Sequence, residues 1–224
     1  MKKFIYTAAT ATFVSCVLLF TSCKKNDTTA PVITVTGGTT VYSSLNATYT
    51  DPGATATDDT DGDLTSKITV SGTVNKDLTG NYTLTYTATD AAGNVGTATR
   101  TVIVRNDAYV FEGTFSVKDS IDASTIYTYN QVVTSSTTIN DKIMFSLFAN
   151  YSGNSGIYAN ATPGTPPTNF TIPSQTATSI GSLSETHTFG GTGVKTTTGF
   201  KITYTDQNVT GGGTATGYAT YTKQ

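Results

Sequence analysis

The chain has few of the residues that build metal and redox centres. It contains one histidine, two cysteines and no tryptophan in 224 residues, and only 12% of its residues are charged. Most zinc, haem and iron–sulfur sites need more such ligands than this chain offers. The net charge of −2 lacks the basic excess of a phosphate-binding surface, so we expect no nucleic-acid partner.

The chain is rich in residues that are typical of β-structure. Threonine is abundant, and the chain also carries 21 glycines, 13 tyrosines and 10 phenylalanines. Threonine and aromatic residues favour strands, whereas glycine, with asparagine, aspartate and proline, marks the turns between them. Apolar residues alternate over short stretches and show no helical period. The composition therefore predicts an all-β protein.

The N-terminal segment has the layout of an export signal. Met1–Lys3 is positively charged, and residues 4–20 are mostly apolar but too short and diluted for a membrane span. Residues 1–22 are therefore predicted to be a signal peptide. The sequence Phe20-Thr21-Ser22-Cys23 resembles the lipobox of bacterial lipoproteins, although Phe20 departs from the usual leucine. The resemblance implies that Cys23 is acylated and that the lipid makes the membrane a partner.

Residues 23–30 are polar and end before Pro31, which predicts a tether. This start resembles that of surface lipoproteins of the Bacteroidota, which implies an outer-membrane anchor and exposure at the cell surface. Asp27-Thr28-Thr29 and Asp119-Ser120-Ile121 match the O-glycosylation pattern of that phylum. Thr28 and Ser120 are therefore candidate acceptors.

Residues 31–105 are predicted to form an immunoglobulin-like (Ig-like) β-sandwich. Short strands alternate with turns, and 81–90 places Tyr82, Leu84, Tyr86 and Ala88 on one face. The run 78–84 resembles a tyrosine corner. The segment is similar to a bacterial Ig-like family of surface lipoproteins, which implies a spacer or presentation role. The matching residues are Asp51, Gly53, Ala56, Asp58, Gly62-Asp63-Leu64-Thr65, Ile68, Val70, Gly72, Val74, Gly80, Tyr82, Tyr86, Ala88, Asp90, Gly93-Asn94, Arg100 and Val102.

An acidic loop in this segment is a candidate metal site. Asp59, Asp61 and Asp63 have the spacing of the first three ligands of an EF-hand loop. Leu64 replaces the required glycine, and Val70 stands where the bidentate glutamate should be. Two interpretations remain: a looser, cadherin-like calcium site at the domain edge, or a solvated turn rich in aspartate.

Residues 108–224 are predicted to be an antiparallel meander of up to eight strands that forms a barrel or half-barrel. Aromatic residues occur on nearly every predicted strand. The segments 170–173, 190–193 and 199–204 resemble the lipocalin-like C-terminal region of Bacteroidota lipoproteins. The glycines of 190–193 and 211–213 are both predicted to lie in hairpin turns, because neither is followed by the lysine and helix of a phosphate-binding loop.

The sequence offers little catalytic chemistry. His187 is predicted to be exposed on a strand, with Glu185 too close in sequence to face it. We therefore expect the protein not to be an enzyme, but a recognition or accessory binding module at the cell surface. The resemblance implies a role in glycan or nutrient uptake. The expected partner is a glycan or an outer-membrane protein. The alternatives are a lipocalin-like carrier of a small apolar ligand and a calcium-stabilised adhesin.

The lipoprotein interpretation makes one prediction about cell fractions. Cys23→Ala removes the thiol that would carry the lipid, so the variant should move from the membrane fraction to the soluble fraction. Immunoblotting of the two fractions measures the change. Unaltered membrane association of the variant would contradict acylation at Cys23.

Overall fold

The computed structural model describes residues 27–149, 156–164, 166–178 and 185–224. The predicted signal peptide and Cys23 lie outside these residues. Within them, no helix is long and apolar enough to cross a membrane. The chain is nearly all β, as predicted, with an Ig-like sandwich followed by a closed barrel.

The sandwich consists of two sheets. One has the order β1-β3-β4 and the other β2-β7-β6-β5, in which β2 and β7 are parallel and the other neighbours antiparallel. A single 3-10 turn, Thr65–Lys67, connects β4 to β5. The strands are β1 (Val32–Val35), β2 (Thr40–Ser44), β3 (Ala54–Asp58), β4 (Gly62–Asp63), β5 (Thr69–Ser71), β6 (Gly80–Thr89) and β7 (Val95–Arg105).

Strand β6 supplies the core face that its alternation predicts. Leu84, Tyr86 and Ala88 are buried, and the threonines between them are half-buried. The hydroxyl of Tyr82 donates a hydrogen bond of 2.8 Å to the carbonyl of Leu78. This bond to backbone four residues upstream has the form of a tyrosine corner, which fixes the entry of the chain into β6.

A fully buried arginine ties the two sheets together. Arg100 on β7 forms an ion pair with Asp51, and its guanidinium also donates to Tyr49 Oη at 2.9 Å. Three carbonyl oxygens accept from the same side chain, those of Thr36, Gly38 and Gly53. A buried cation is tolerated only when such partners replace its hydration.

Asp51 also receives a hydrogen bond from a buried tyrosine. Tyr86 Oη lies 2.8 Å from Asp51 Oδ1, and burial together with this bond raises the pKa of Tyr86 to about 12. The phenol therefore stays protonated and donates throughout the physiological range. Asp51, in the turn before β3, thus connects that turn to two neighbouring strands of the other sheet, β6 and β7.

The C-terminal domain is a closed eight-stranded antiparallel barrel, which decides between the two predicted forms. A 3-10 helix, Asp107–Phe111, leads into it, and the first barrel strand begins at Gly113. The strands close in the order β10-β11-β12-β13-β14-β15-β8-β9. They are β8 (Gly113–Ile121), β9 (Thr125–Ser135), β10 (Lys142–Phe145), β11 (Tyr158–Ala161), β12 (Asn169–Thr178), β13 (Thr186–Lys195), β14 (Gly199–Asn208) and β15 (Thr214–Lys223).

Aromatic rings fill much of the barrel interior. The rings meet mostly edge to face, with centroids 4.3–6.4 Å apart, an arrangement that aromatic side chains favour. The buried members are Phe111, Phe115, Phe145, Phe148, Phe170, Phe189, Phe200, Tyr204 and Tyr221. The 3-10 helix contributes Phe111 and so covers one end of the barrel.

Two glycines make room for these rings. A Cβ atom at Gly193 would lie 1.9 Å from the ring of Phe170, and one at Gly217 would lie 2.0 Å from the ring of Tyr204. The prediction of a hairpin turn at residues 190–193 is wrong, since Gly190, Gly191 and Gly193 lie inside β13 and Gly193 gives space to the ring of Phe170. The glycines at 211–213 do lie in the turn between β14 and β15.

Hydrogen bonds join the sandwich to the β9–β10 loop of the barrel. Thr79 N donates to Thr137 O at 2.9 Å, and Asn140 N donates to Asn46 Oδ1 at 3.0 Å. At the junction, the buried amide of Asn106 donates to the carbonyls of Ser136 and Ile139. The sandwich thus contacts the barrel at the end where β9 finishes and β10 begins.

The buried ion pair predicts an uneven cost of removing aspartates. Asp51→Ala leaves Arg100 buried without its counter-charge and should lower the free energy of unfolding by about 3 kcal/mol. Asp77→Ala breaks the exposed pair with Lys76 and should cost less than about 1 kcal/mol. Urea unfolding of the two variants measures both values, and equal losses would contradict the role of Asp51.

Candidate functional site

The three loop aspartates of the predicted calcium site do not converge. Asp59 and Asp63 are exposed, and Asp63 Oδ1 accepts from Thr65 N at 2.9 Å. Asp61 alone joins a group of carboxylates, and its partners come from other parts of the chain. Asp63 on β4 pairs with the exposed Thr57 of β3, so its side chain lies on the opposite face of the sheet from the neighbouring Asp58.

The carboxylates that do converge are those of Asp27, Asp58, Asp61 and Asp90. One oxygen of each lies within 4.8 Å of the others. Asp58 and Asp90 are 8% and 7% exposed, and the other two are half-buried. Although burial opposes ionisation of Asp90, hydrogen bonds from Asn94 hold the pKa of its carboxyl below the usual value. The group lies at the end of the sandwich remote from the barrel, where β3 and β6 end and β7 begins.

The two candidate glycosylation sites lie in different settings. Thr28 is exposed in the extended segment before β1. Ser120 is half-buried on β8, and its hydroxyl donates to the carbonyl of Tyr218 at 3.3 Å. Glycosylation of either residue stays a prediction.

The barrel end opposite the sandwich has a polar interior, and we call it the mouth. Here β8 and β14 end and β9 and β15 begin. On β14, alternate inward positions carry Phe200, Ile202, Tyr204 and then Asp206, all buried. The interior therefore changes from aromatic to charged along a single strand, and the charge lies at the mouth.

His187 is buried in the mouth, so its prediction as an exposed strand residue is wrong. It is 4% exposed, and its Nδ1 lies 2.6 Å from Asp206 Oδ1. Its Nε2 lies 3.3 Å from Glu185 Oε2, although the sequence indicated that Glu185 was too close to face it. Residues i and i+2 of an extended segment point to the same side, which allows the contact. Asn208 Nδ2 also donates to Glu185, at 3.2 Å.

A second carboxylate lies deeper in the mouth. Asp119 on β8 is 1% exposed and accepts from Tyr204 Oη at 2.8 Å and from Tyr129 Oη at 3.2 Å. Burial raises the pKa of the Asp119 carboxyl above its usual value, although both phenols favour the ionised form. Burial beside Asp119 likewise raises the pKa of Tyr204 well above its usual value. Polar groups thus accumulate where the aromatic packing ends.

An accessible tyrosine stands at the rim of the mouth. On β9 the inward positions 129, 131 and 133 are half-buried or buried, and Tyr127 continues this series at the strand's start. Tyr127 is 38% exposed, so part of its ring is open to solvent. Carboxylate acceptors beside such a ring can bind a ligand that has hydroxyl donors and an apolar face.

Part of the mouth was detectable from sequence. The alternation of Phe200, Ile202 and Tyr204 extends to Asp206, which places that carboxylate on the inward face. The contact with His187 was not detectable, because it depends on the register between β13 and β14, in which Phe189 faces Asp206 and His187 faces Asn208.

Comparison with known proteins identifies the first domain. Residues 33–104 match the family of the Ig-like domain of bacterial surface proteins. This agrees with the resemblance deduced from the sequence and covers about a third of the chain. No curated protein matches the chain.

Several solved structures resemble the chain at low sequence identity. A lipoprotein of Bacteroides thetaiotaomicron is 16% identical, with a TM-score of 0.35, over 86% of this chain and 100% of that one. A candidate outer membrane protein of Bacteroides fragilis is 14% identical, with a TM-score of 0.34, over 80% of this chain and 92% of that one. A Clostridium perfringens structure with a carbohydrate-binding module in complex with GlcNAc is 15% identical, with a TM-score of 0.29, over 86% of this chain and 44% of that one. With TM-scores below 0.5, these likenesses support no function.

The raised pKa of Asp119 predicts a specific pH dependence. The folded protein retains the proton at pH values where the unfolded chain has lost it. Stability from this carboxyl is therefore complete below the usual aspartate value, near pH 4, and is lost as the pH rises through the folded value. As the pH rises over this range, the free energy of unfolding of the parent should fall relative to that of Asp119→Asn. At higher pH the difference should stay constant.

Urea unfolding from about pH 3 to 7, followed by near-ultraviolet circular dichroism, measures the difference. Asp122→Asn is the matched control, because Asp122 is exposed three residues further along the chain. A constant difference between the parent and Asp119→Asn at every pH would contradict the assignment.

Proposed function

We propose that the chain is a non-catalytic, lipid-anchored protein of the bacterial outer surface whose barrel mouth binds a neutral glycan. The observation that carries the proposal is the mouth itself, where buried carboxylates adjoin the exposed ring of Tyr127 in a barrel otherwise filled with aromatic residues. The surface-protein family of residues 33–104 supports the location.

The placement of the two domains supports a presentation role for the sandwich. Its N-terminal segment lies beside Asn94 and Gly96, at the start of β7, whereas Arg105 at the end of β7 leads into the barrel. The mouth is at the far end of the barrel from the sandwich. A chain anchored through Cys23 would therefore hold the mouth away from the membrane.

The chemistry of the mouth favours a neutral, hydroxyl-rich ligand. Asp119, Asp206 and Glu185 accept hydrogen bonds and repel anions, which disfavours acidic ligands. The aromatic filling argues against the apolar-carrier alternative, because rings such as Phe170 and Tyr204 occupy the space that an apolar ligand would need. Sugars combine hydroxyl donors with apolar ring faces, which suits carboxylates next to Tyr127.

The arrangement of acids and histidine supports a non-catalytic role. Both ring nitrogens of His187 lie within hydrogen-bonding distance of carboxylates, 2.6 Å from Asp206 and 3.3 Å from Glu185, as in a polar network that fixes the position of the ring. Glu112 precedes β8 and accepts from Ser135 N, whereas Asp119 lies near the other end of that strand. Seven residues of extended chain separate them by about 20 Å, beyond the reach of a glycosidase pair.

Glycan binding by the full chain tests the proposal. An array of neutral and acidic oligosaccharides identifies the ligand, and calorimetry with the best neutral glycan gives its affinity. Tyr127→Ala should weaken binding at least about tenfold, or about 1.4 kcal/mol, because the ring face is lost.

Tyr218→Ala is the matched control, because Tyr218 is 52% exposed on β15 between buried inward neighbours and so faces outward. Its affinity should equal that of the parent. Absence of any glycan binding, or equal losses in the two variants, would overturn the proposal.

A further inference from the structure

Four aspartates from three separate chain segments meet at the end of the sandwich remote from the barrel. Asp58 and Asp61 flank the β3–β4 turn, Asp90 follows β6, and Asp27 precedes β1. One oxygen of each carboxylate lies within 4.8 Å of the others. Like charges at this separation repel each other strongly, particularly where two of the four side chains are buried.

Two carboxylate oxygens of these four residues lack a hydrogen-bond partner among the described residues. Asp27 Oδ2 and Asp58 Oδ2 are shielded from solvent and accept no hydrogen bond, and Asp58 as a whole is 8% exposed. The salt bridges of the described residues include none to any of the four aspartates. Buried carboxylate oxygens without hydrogen bonds require a counter-charge.

We propose that Asp27, Asp58, Asp61 and Asp90 bind a calcium ion that fastens the N-terminal segment to the Ig-like domain. Carboxylate oxygens are the ligands that hard divalent cations take. Calcium is preferred over magnesium, because it accepts several carboxylates in irregular geometry, and over zinc, because the four residues offer neither sulfur nor nitrogen.

The fastening follows from the position of Asp27. It lies 31 residues before Asp58 and 63 before Asp90, so an ion shared by them joins distant parts of the chain. Asn94 Nδ2 already donates to the carbonyl of Asp27 at 3.2 Å. Pro31 packs against β7 so closely that a Cβ at Gly96 would lie 2.0 Å from its carbonyl oxygen. The ion would complete this attachment four residues after Cys23.

Calcium titration of the full chain tests the site. After EDTA treatment and dialysis, calorimetry in 150 mM NaCl should show one site, half-saturated between about 0.1 and 1 mM, the range of extracellular calcium modules. The thermal unfolding temperature should rise as calcium is added, because the ion binds the folded chain. Magnesium at the same concentrations should have a weaker effect.

Matched variants locate the ion. Asp58→Asn and Asp61→Asn should each weaken calcium binding at least about tenfold. Asp61 is only half-buried, so Asp61→Asn is the variant expected to keep the fold. Asp59→Asn and Asp63→Asn lower the charge of the same loop outside the cluster and should leave the affinity unchanged. Equal losses of calcium affinity in both pairs of variants would mean that only the total charge of the loop matters, and would overturn the site.

Asp27→Asn tests the fastening separately. It should weaken binding at least about tenfold, and an unchanged affinity would remove the N-terminal segment from the proposal. Unfolding that is unaffected by calcium up to about 10 mM, well above the affinities of extracellular modules, would overturn the site altogether. Stability that instead falls with added NaCl, with or without calcium, would assign the neutralising role to basic residues such as Lys24 and Lys25.

Discussion

A closed ring of eight strands encloses a volume that its own inward side chains must fill. In this barrel the volume is occupied by aromatic rings, which meet edge to face and press against Gly193 and Gly217, where any side chain would collide with a ring. The rings extend from Phe111, at the end next to the sandwich, to Phe189 and Tyr204. Among the inward residues of the described strands, the charged ones, Asp119, His187 and Asp206, therefore lie toward the mouth, whereas the neutral Gln131 lies among the rings and accepts from Tyr221 Oη.

The interior of the sandwich depends on a buried charged side chain, whereas that of the barrel depends on aromatic rings. Its buried apolar clusters are small, and its largest buried side chain is that of Arg100. The partners of Arg100 lie in the β1–β2 turn and in the segment that leads into β3. The carbonyls of Thr36, Gly38 and Gly53 lie in turns between strands. The guanidinium of Arg100 therefore orders backbone segments that are not part of a strand. In the two domains, packing and buried polar networks thus provide the stability that disulfides provide in many exported proteins.

The sequence predicted what depends on neighbours along the chain and missed what depends on pairing between strands. Alternation in β6 and the turn at 211–213 are local, and both are present. Of the acidic-loop residues Asp59, Asp61 and Asp63, only Asp61 joins the carboxylate group, because the fold alone brings Asp27 and Asp90 near it. His187 was misplaced for the same reason, since the register of β13 on β14 decides that it is buried beside Asp206. The sequence indicates a turn at Gly193 because its partner, the ring of Phe170, lies on another strand.

The parallel pairing of β2 with β7 has a mechanical consequence. The chain enters the sandwich beside the start of β7 and leaves it at Arg105, so the two points of attachment lie at opposite ends of the same domain. Tension between an anchored N-terminus and a barrel held by its ligand would act along the strands. Five residue pairs of β2 and β7 would then share the load in shear, so that their bonds must break together and not one after another. A domain with this pairing would therefore resist extension if the N-terminus were anchored as proposed.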